Sequence, residues 1–479
     1  MTSERPNIIL VVSDTLRTAY LGCYGNPTIH TPNLDTFAQQ SIRFTRAHPE
    51  ALPTIPVRRG LHTGRRVYPF RNYKPVKWDI VYLPGWQPIS EDEDALAENV
   101  AGAGYHTGFV TDTLPYFAPA MNFTRGFWQW EFVRGQQQDR WKAPATVRDD
   151  RLERYRPSGT EAQRGLPAMY RQHVANTDWI QYEHQTSTAR VFQWAIDFVD
   201  DNRHNKPFYL MVDCFDPHEP WEAPPHYYER YADPTYTGRT ILHAPYDALE
   251  TFGTPEELRD IIAHYSGLVT LMDTWFGKLM TRLDQLGLRD NTWVIFAGDH
   301  GTNFADNPEH VVGKPARALY PGVMHVPLMI RHPQGTGAGS TVDDLTYLTD
   351  IPATIYDIAS ASPQDGLDGH SMMGYFHGSK PTRRDYLTCR YSDYVWYRDD
   401  DYWVFCDLDG QNRHIFDLHT DPDCQHNIAG QTDAAQAAFD RAWQRILADA
   451  GGSLPDYRQQ HHTEADGQKS AAEARQQRP

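Results

Sequence analysis

Two short apolar runs in this chain each end in groups that bind cations. Residues 8–12 are uniformly apolar and run into Ser13-Asp14-Thr15; residues 293–297 are equally apolar and run into Gly298-Asp299-His300-Gly301. Runs of this kind read as parallel strands buried on both faces. Open α/β sheets bind ligands where such strands end. Asp14, Asp299 and His300 are therefore expected to converge on one divalent cation. Taken alone, Asp14 reads equally well as a helix cap and Asp299 as ordinary turn chemistry. A third apolar run, residues 208–212, leads towards Asp-Pro-His-Glu-Pro at 216–220 and brings His218 to the same edge.

Helices must join these strands. Thr254-Pro255-Glu256-Glu257 supplies an N-cap, a proline at the first helical position and a capping-box glutamate. Apolar residues from Ile261 to Leu283 then recur at helical spacing, and Gly287 closes the helix. A second helix is predicted around residues 186–200. Residues 112–184 are rich in Trp, Arg and Gln and poor in periodicity, which reads as an insertion and pocket wall. From Tyr386, short aromatic segments predict a small antiparallel sheet, and residues 433–448 a helix. The predicted division is a catalytic α/β domain over 1–385, a small α+β subdomain over 386–451 packed on it, and a polar, disordered tail over 452–479.

The chain has 479 residues and a formal net charge of −17. That balance disfavours nucleic acid and anionic membrane as partners, since both would repel it, although a local cationic cluster could still bind a small anion. No segment approaches the ~20 apolar residues of a membrane span. The opening M-T-S-E-R-P-N lacks the basic and apolar regions of a signal peptide. The five scattered cysteines read as free thiols. A cytoplasmic location is expected.

Five segments, in order, resemble the sulfatase branch of the alkaline phosphatase superfamily. They are S-D-T-L-R at 13–17 with L-G-C-Y-G and T-P-N-L-D; T-I-P-V-R-R-G-L-H-T-G-R at 54–65; F-A-G-D-H-G at 296–301; G-K-P at 313–315 followed by V-P-L-M-I-R; and I-F-D-L-H-T-D-P-D-C-Q-H-N-I at 415–428. The resemblance implies an alkaline phosphatase-like α/β sandwich, with a large, mainly parallel sheet flanked by helices and a small C-terminal antiparallel subdomain. It puts Thr54 in the nucleophile position, with Asp14, Thr54, Asp299 and His300 around the metal. Arg58 would lie beside the nucleophile. His218 and Lys314 would bind the transferred group and assist the leaving oxygen, with His310 behind them.

The departures matter as much. Sulfatases oxidise a Cys or Ser to formylglycine, and Thr54 cannot become that aldehyde. A threonine ester must be opened by water, which favours phosphate or phosphonate esters over sulfate. Thr15 stands where a second aspartate is usual, so a metal ligand is lost or replaced by a hydroxyl. His300 stands where many sulfatases have Asn, which tilts the metal from Ca²⁺ towards Mn²⁺ or Zn²⁺. The expected G-K-W-H is T-D-T-L at 111–114, leaving the roles of Asp112 and Thr113 open. The expectation is a single-metal ester hydrolase acting on a small anionic ester. A Thr54-dependent sulfatase is the alternative and an inactive binding protein of the same fold the second; homo-oligomers stay open.

Overall fold

The protein is described here by a computed structural model covering residues 5–71, 73, 83–118, 120–155, 166–205, 207–363, 366–379 and 381–458. Its centre is a nine-stranded sheet. Thr341–Val342, Ile42–His48, Val326–Arg331, Thr292–Gly298, Asn7–Ser13, Phe208–Cys214, His106–Thr111 and Gln129–Phe132 follow one another across it, and Thr346–Tyr347 also pairs with Ile42–His48. Every strand runs the same way except Val326–Arg331, which is antiparallel to both neighbours. The architecture is the expected mainly parallel α/β sandwich.

Alternation along the central strand explains why its sequence is apolar throughout. Ile8, Leu10 and Val12 face one core, shared with Ile55, Val57 and Leu61 of helix Thr54–Thr63 and with Ile351 and Ile355 of helix Asp350–Ala359. Ile9 and Val11 face the other, with Phe192 and Val199 of helix Ser187–Asn202 and Val269, Met272 and Phe276 of helix Pro255–Gln285. Both faces are covered, so polar residues have no place until the strand ends.

The long helix begins as its sequence demands. Thr254 Oγ1 accepts from Glu257 N at 3.3 Å, and Glu257 Oε2 accepts from Thr254 N at 2.9 Å. At the other end Gly287, at φ +64°, lets the chain reverse. Helix Ser187–Asn202 is capped by Thr186. The stretch predicted as insertion and pocket wall does more than that. It supplies the edge strand Gln129–Phe132 and the helix Leu166–Thr177. A four-residue strand exposed along most of its length carries no period that sequence could reveal.

The small sheet contains the antiparallel strands Leu387–Tyr391, Tyr394–Arg398, Tyr402–Asp407 and His414–Asp417. One face, with Trp396, Trp403 and Phe405, joins the main core. The other packs Val395, Val404 and Ile415 against Phe439, Ala442 and Ile446 of helix Asp433–Asp449. A fifth strand, Ala51–Leu52, comes from far earlier in the chain and pairs in parallel with Arg390 and Tyr391. Of the tail expected to be disordered, residues 452–458 are described: Tyr457 donates from its hydroxyl to Phe70 O at 2.7 Å. Residues 459–479 lie outside the described residues. Among the described residues no helix is long and apolar enough to cross a membrane, and all five cysteines are free.

Trp403 is 1% exposed, and its indole N–H donates to Leu319 O at 2.9 Å. Trp403→Ala should therefore cost about 3–5 kcal/mol of stability in denaturant unfolding, with one transition for both sheets. A loss below about 1 kcal/mol, or an earlier separate transition, would show that the small sheet does not share the main core.

Candidate metal centre and ester site

Register brings the ligands together. Ser13 lies opposite Gly298 on one side and Cys214 on the other, so three strands end at one level. Asp14 and Asp299 are the next residues out, and one ligand atom from each lies within 4.8 Å of the other and of His300. All three are fully buried. His300 Nε2 is 3.3 Å from Asp299 Oδ2 and 3.8 Å from Asp14 Oδ1. On the ring's far side Nδ1 is 3.0 Å from Gly301 O. A carbonyl can only accept, so Nδ1 carries the proton and the Nε2 lone pair points into the cage.

Backbone donors aim the aspartates. Asp299 Oδ1 accepts from Thr15 N at 2.8 Å and from His300 N at 2.6 Å, which leaves Oδ2 facing the cage. The Thr15 hydroxyl donates to Asp14 Oδ1 at 2.7 Å and braces that side chain. Asp14 Oδ2 accepts no hydrogen bond although it is buried; Arg58 Nη2 lies 3.1 Å away without an aligned N–H.

Helix Thr54–Thr63 begins against this cage. The Thr54 hydroxyl lies 3.4 Å from His300 Nε2. One turn on, Arg58 reaches between three carboxylates. Its Nη1 pairs with Asp299, and its Nε and Nη2 donate to Asp213 at 3.1 and 2.9 Å. Burial disfavours the guanidinium charge, but Asp213, Asp299 and Asp14 override it and hold the proton well above the usual arginine range.

This set fits a divalent cation. Asp14, Asp213 and Asp299 bring three negative charges and Arg58 one positive, all of them 0% exposed. Two negative charges stay uncompensated, and buried charge must be paired or neutralised. Burial, then Asp299, raise Asp14 to about 6, so without a cation the cluster binds a proton below that pH. Burial also raises Asp299 and lowers His300 to about 4, so the imidazole stays neutral and free to ligate near pH 7.

His218 and Lys314 meet in an adjoining cluster built on Glu219, which the sequence reading did not single out. Lys314 Nζ lies 2.9 and 3.0 Å from the two Glu219 oxygens, and the Tyr246 hydroxyl also donates to Glu219. His218 Nδ1 is 2.6 Å from Glu219 O, so its Nε2 is left without the proton; burial holds this ring well below the usual imidazole range. Gly313, at φ +93°, permits the arrangement, because a Cβ there would stand 2.2 Å from Tyr246 Cδ1. The positive charge of Lys314 reaches the cage, where it lowers Asp14 and His300. His310 lies apart: it is exposed and pairs with Glu250 at 2.6 Å.

Asp112 and Thr113 do not supply cations in place of the expected Lys and His. Asp112 accepts from Phe215 N at 2.7 Å and shares the Gln136 amide with Asp216. Thr113 donates to Asp213 at 3.2 Å. Asp213, like Glu219, was missed. It sits in a strand buried on both faces, on the same side as Val12 opposite it, and so looks at Arg58. A carboxylate inside such a strand was the available signal, since it requires a partner.

The family model described as "Sulfatase" matches residues 6–361. The chain belongs to the sulfatase family. A second model, "N-sulphoglucosamine sulphohydrolase, C-terminal", matches residues 314–448. An arylsulfatase of Clostridium perfringens is 25% identical over 467 residues, which cover 87% of this chain and 89% of that protein. The crystal structure of a phosphonate monoester hydrolase of Agrobacterium radiobacter superposes with a TM-score of 0.71 at 22% identity, covering 93% of this chain and 96% of the other. Another, from Silicibacter pomeroyi, gives 0.70 at 19% identity, covering 93% and 95%. This sulfatase-family chain is thus a hydrolase with the alkaline phosphatase-like fold and an Asp-Asp-His cage able to hold a divalent metal.

The raised Asp14 pKa sets a pH dependence. An unfolded Asp gives up its proton near 3.8 and the folded one near about 6. Between these values the folded cation-free protein holds the extra proton, so this group lowers stability as pH rises. A cation must displace that proton. Mn²⁺ affinity should rise about tenfold per pH unit below about 6 and level off above it, read by chelator competition from pH 5 to 8. A flat profile from pH 5 to 7 would contradict the cage assignment.

Proposed function

We propose that this chain is a metal-dependent hydrolase that cleaves phosphate or phosphonate esters through a covalent bond to Thr54. The observation that carries the reading is the Thr54 hydroxyl standing at the cage, 3.4 Å from His300 Nε2, at the first residue of a helix. A divalent cation held by Asp14, Asp299 and His300, with Thr54 beside it, would lower the pKa of that hydroxyl and offset charge on the ester oxygens. His300 favours Mn²⁺ or Zn²⁺ over Ca²⁺.

Thr54 Oγ1 then attacks phosphorus in line, the bond to the leaving oxygen breaks, and the proton given up by the Thr54 hydroxyl passes to that oxygen. Lys314 is suited to steady that oxygen, and the neutral His218, with Nε2 free of its proton, to accept one from water. Water attack on phosphorus releases the product and returns the proton to Thr54. This route needs no aldehyde, which threonine cannot form, and phosphorus accepts in-line attack by water. Arg58 is neutralised by Asp213 and Lys314 by Glu219. Once a divalent cation offsets Asp14 and Asp299, the site carries little net charge, which suits singly charged esters such as phosphodiesters and phosphonate monoesters.

A sulfate ester is the second reading, supported by the likeness to the Clostridium perfringens arylsulfatase. An inactive binding role is disfavoured, because Asp14, Arg58, Asp299, His218 and Lys314 all keep arrangements useful for anion chemistry. The five free cysteines support a reducing, cytoplasmic setting.

Thr54→Ala should lower turnover by roughly 10³-fold or more with metal content intact, while Thr54→Ser keeps a substantial fraction. Steady-state kinetics on matched aryl phosphate monoesters, diesters, phosphonates and sulfates test the substrate. Near-native rates in Thr54→Ala would exclude the nucleophile. A larger kcat/KM for the aryl sulfate would move the assignment to the second reading.

A further inference from the structure

We propose that Asp213 is a positioning residue that holds the Arg58 guanidinium against the cage and sets the affinity of the cage for its cation. The inference rests on the cage binding a cation and not on which ester Thr54 attacks.

Arg58 has three carboxylate neighbours, and they are not equivalent. Asp14 and Asp299 belong to the cage, so a cation and Arg58 draw on the same oxygens. Asp213 is not among the cage ligands. It takes Nε and Nη2 together, at 3.1 and 2.9 Å, the two-point contact that fixes both the plane and the reach of a guanidinium. It is the one partner Arg58 can keep in full when a cation binds.

Asp213 is itself immobilised. Oδ1 receives the Thr113 hydroxyl at 3.2 Å besides Arg58 Nη2; Oδ2 receives the Tyr116 hydroxyl at 2.5 Å besides Arg58 Nε. Each oxygen has two donors, and Asp213, Thr113 and Arg58 are all 0% exposed. The T-D-T-L segment, which departs from the family pattern, thus supplies part of the support for Arg58.

Charge decides the consequence. A buried guanidinium next to the cage repels a divalent cation, and in a poorly screened interior that repulsion is strong. Asp213 cancels it, so the two charges of Asp14 and Asp299 are left for the metal. Replacing Asp213 by Asn would leave those two carboxylates opposed by an unneutralised arginine. Replacing Arg58 and Asp213 together by neutral residues would restore the balance.

The test is Mn²⁺ affinity of the purified full chain, measured by chelator competition at pH 7.5, with circular dichroism and thermal melting to establish folding. Asp213→Asn should weaken binding by roughly 10–100-fold. The double variant Arg58→Gln/Asp213→Asn should recover most of that affinity without recovering turnover. A purely structural role for Asp213 predicts no such recovery. Should Asp213→Asn alone not fold, Arg58→Gln is compared with the double variant: the single should bind Mn²⁺ more tightly than the double. Unchanged affinity in Asp213→Asn, or equal affinities of Arg58→Gln and the double variant, would overturn the proposal. Failure of Thr54→Ala to lose turnover would overturn the ester mechanism and leave this result standing.

Discussion

Three buried carboxylates around one buried guanidinium are the constraint on which the rest of the structure depends. Asp14, Asp213 and Asp299 crowd three carboxylates out of water around one paired guanidinium, Arg58. Buried ion pairs seldom stabilise a fold more than apolar residues of the same size would. The cluster is therefore a poor stability device and a good binding device: it costs folding energy and creates a strong demand for positive charge. The neighbouring cluster differs in kind. Glu219 against Lys314 is already balanced, and Tyr246 completes the hydrogen bonding of the carboxylate.

The sheet makes the unbalanced cluster affordable. The three central apolar strands, covered on both faces, supply the core, and their ligand-type groups appear where they end, at one level set by register. Asp213 breaks that pattern by sitting one residue inside its strand, and it is tolerated because Arg58 rises to meet it from the helix packed on that face.

Much of this was legible in the sequence, for physical reasons that can be named. Residues 8–12 and 293–297 announced buried parallel strands because nothing polar interrupts them, and the capping box at Thr254 announced its helix. Asp14, Asp299 and His300 stood out as ligand types at strand ends. Asp213 and Glu219 did not, because each is adjacent to residues that drew the reading elsewhere and their meaning lies in partners 155 and 95 residues away. Gln129–Phe132 was invisible because an exposed edge strand of four residues has no alternation to read. His310 was expected behind His218 and Lys314, but after it, at φ +49°, the chain turns inward and leaves the imidazole at the surface with Glu250.

The pairing of Ala51–Leu52 with Arg390 and Tyr391 carries a consequence for synthesis. This two-residue strand ends just before Thr54 and fixes where the helix begins. A nascent chain that has emerged as far as Lys314 already contains Asp14, Thr54, Arg58, Asp213, Asp299 and His300. It still lacks the strand against which the segment entering Thr54 must lie. The cage residues are thus all translated well before the strand that aligns the segment entering Thr54.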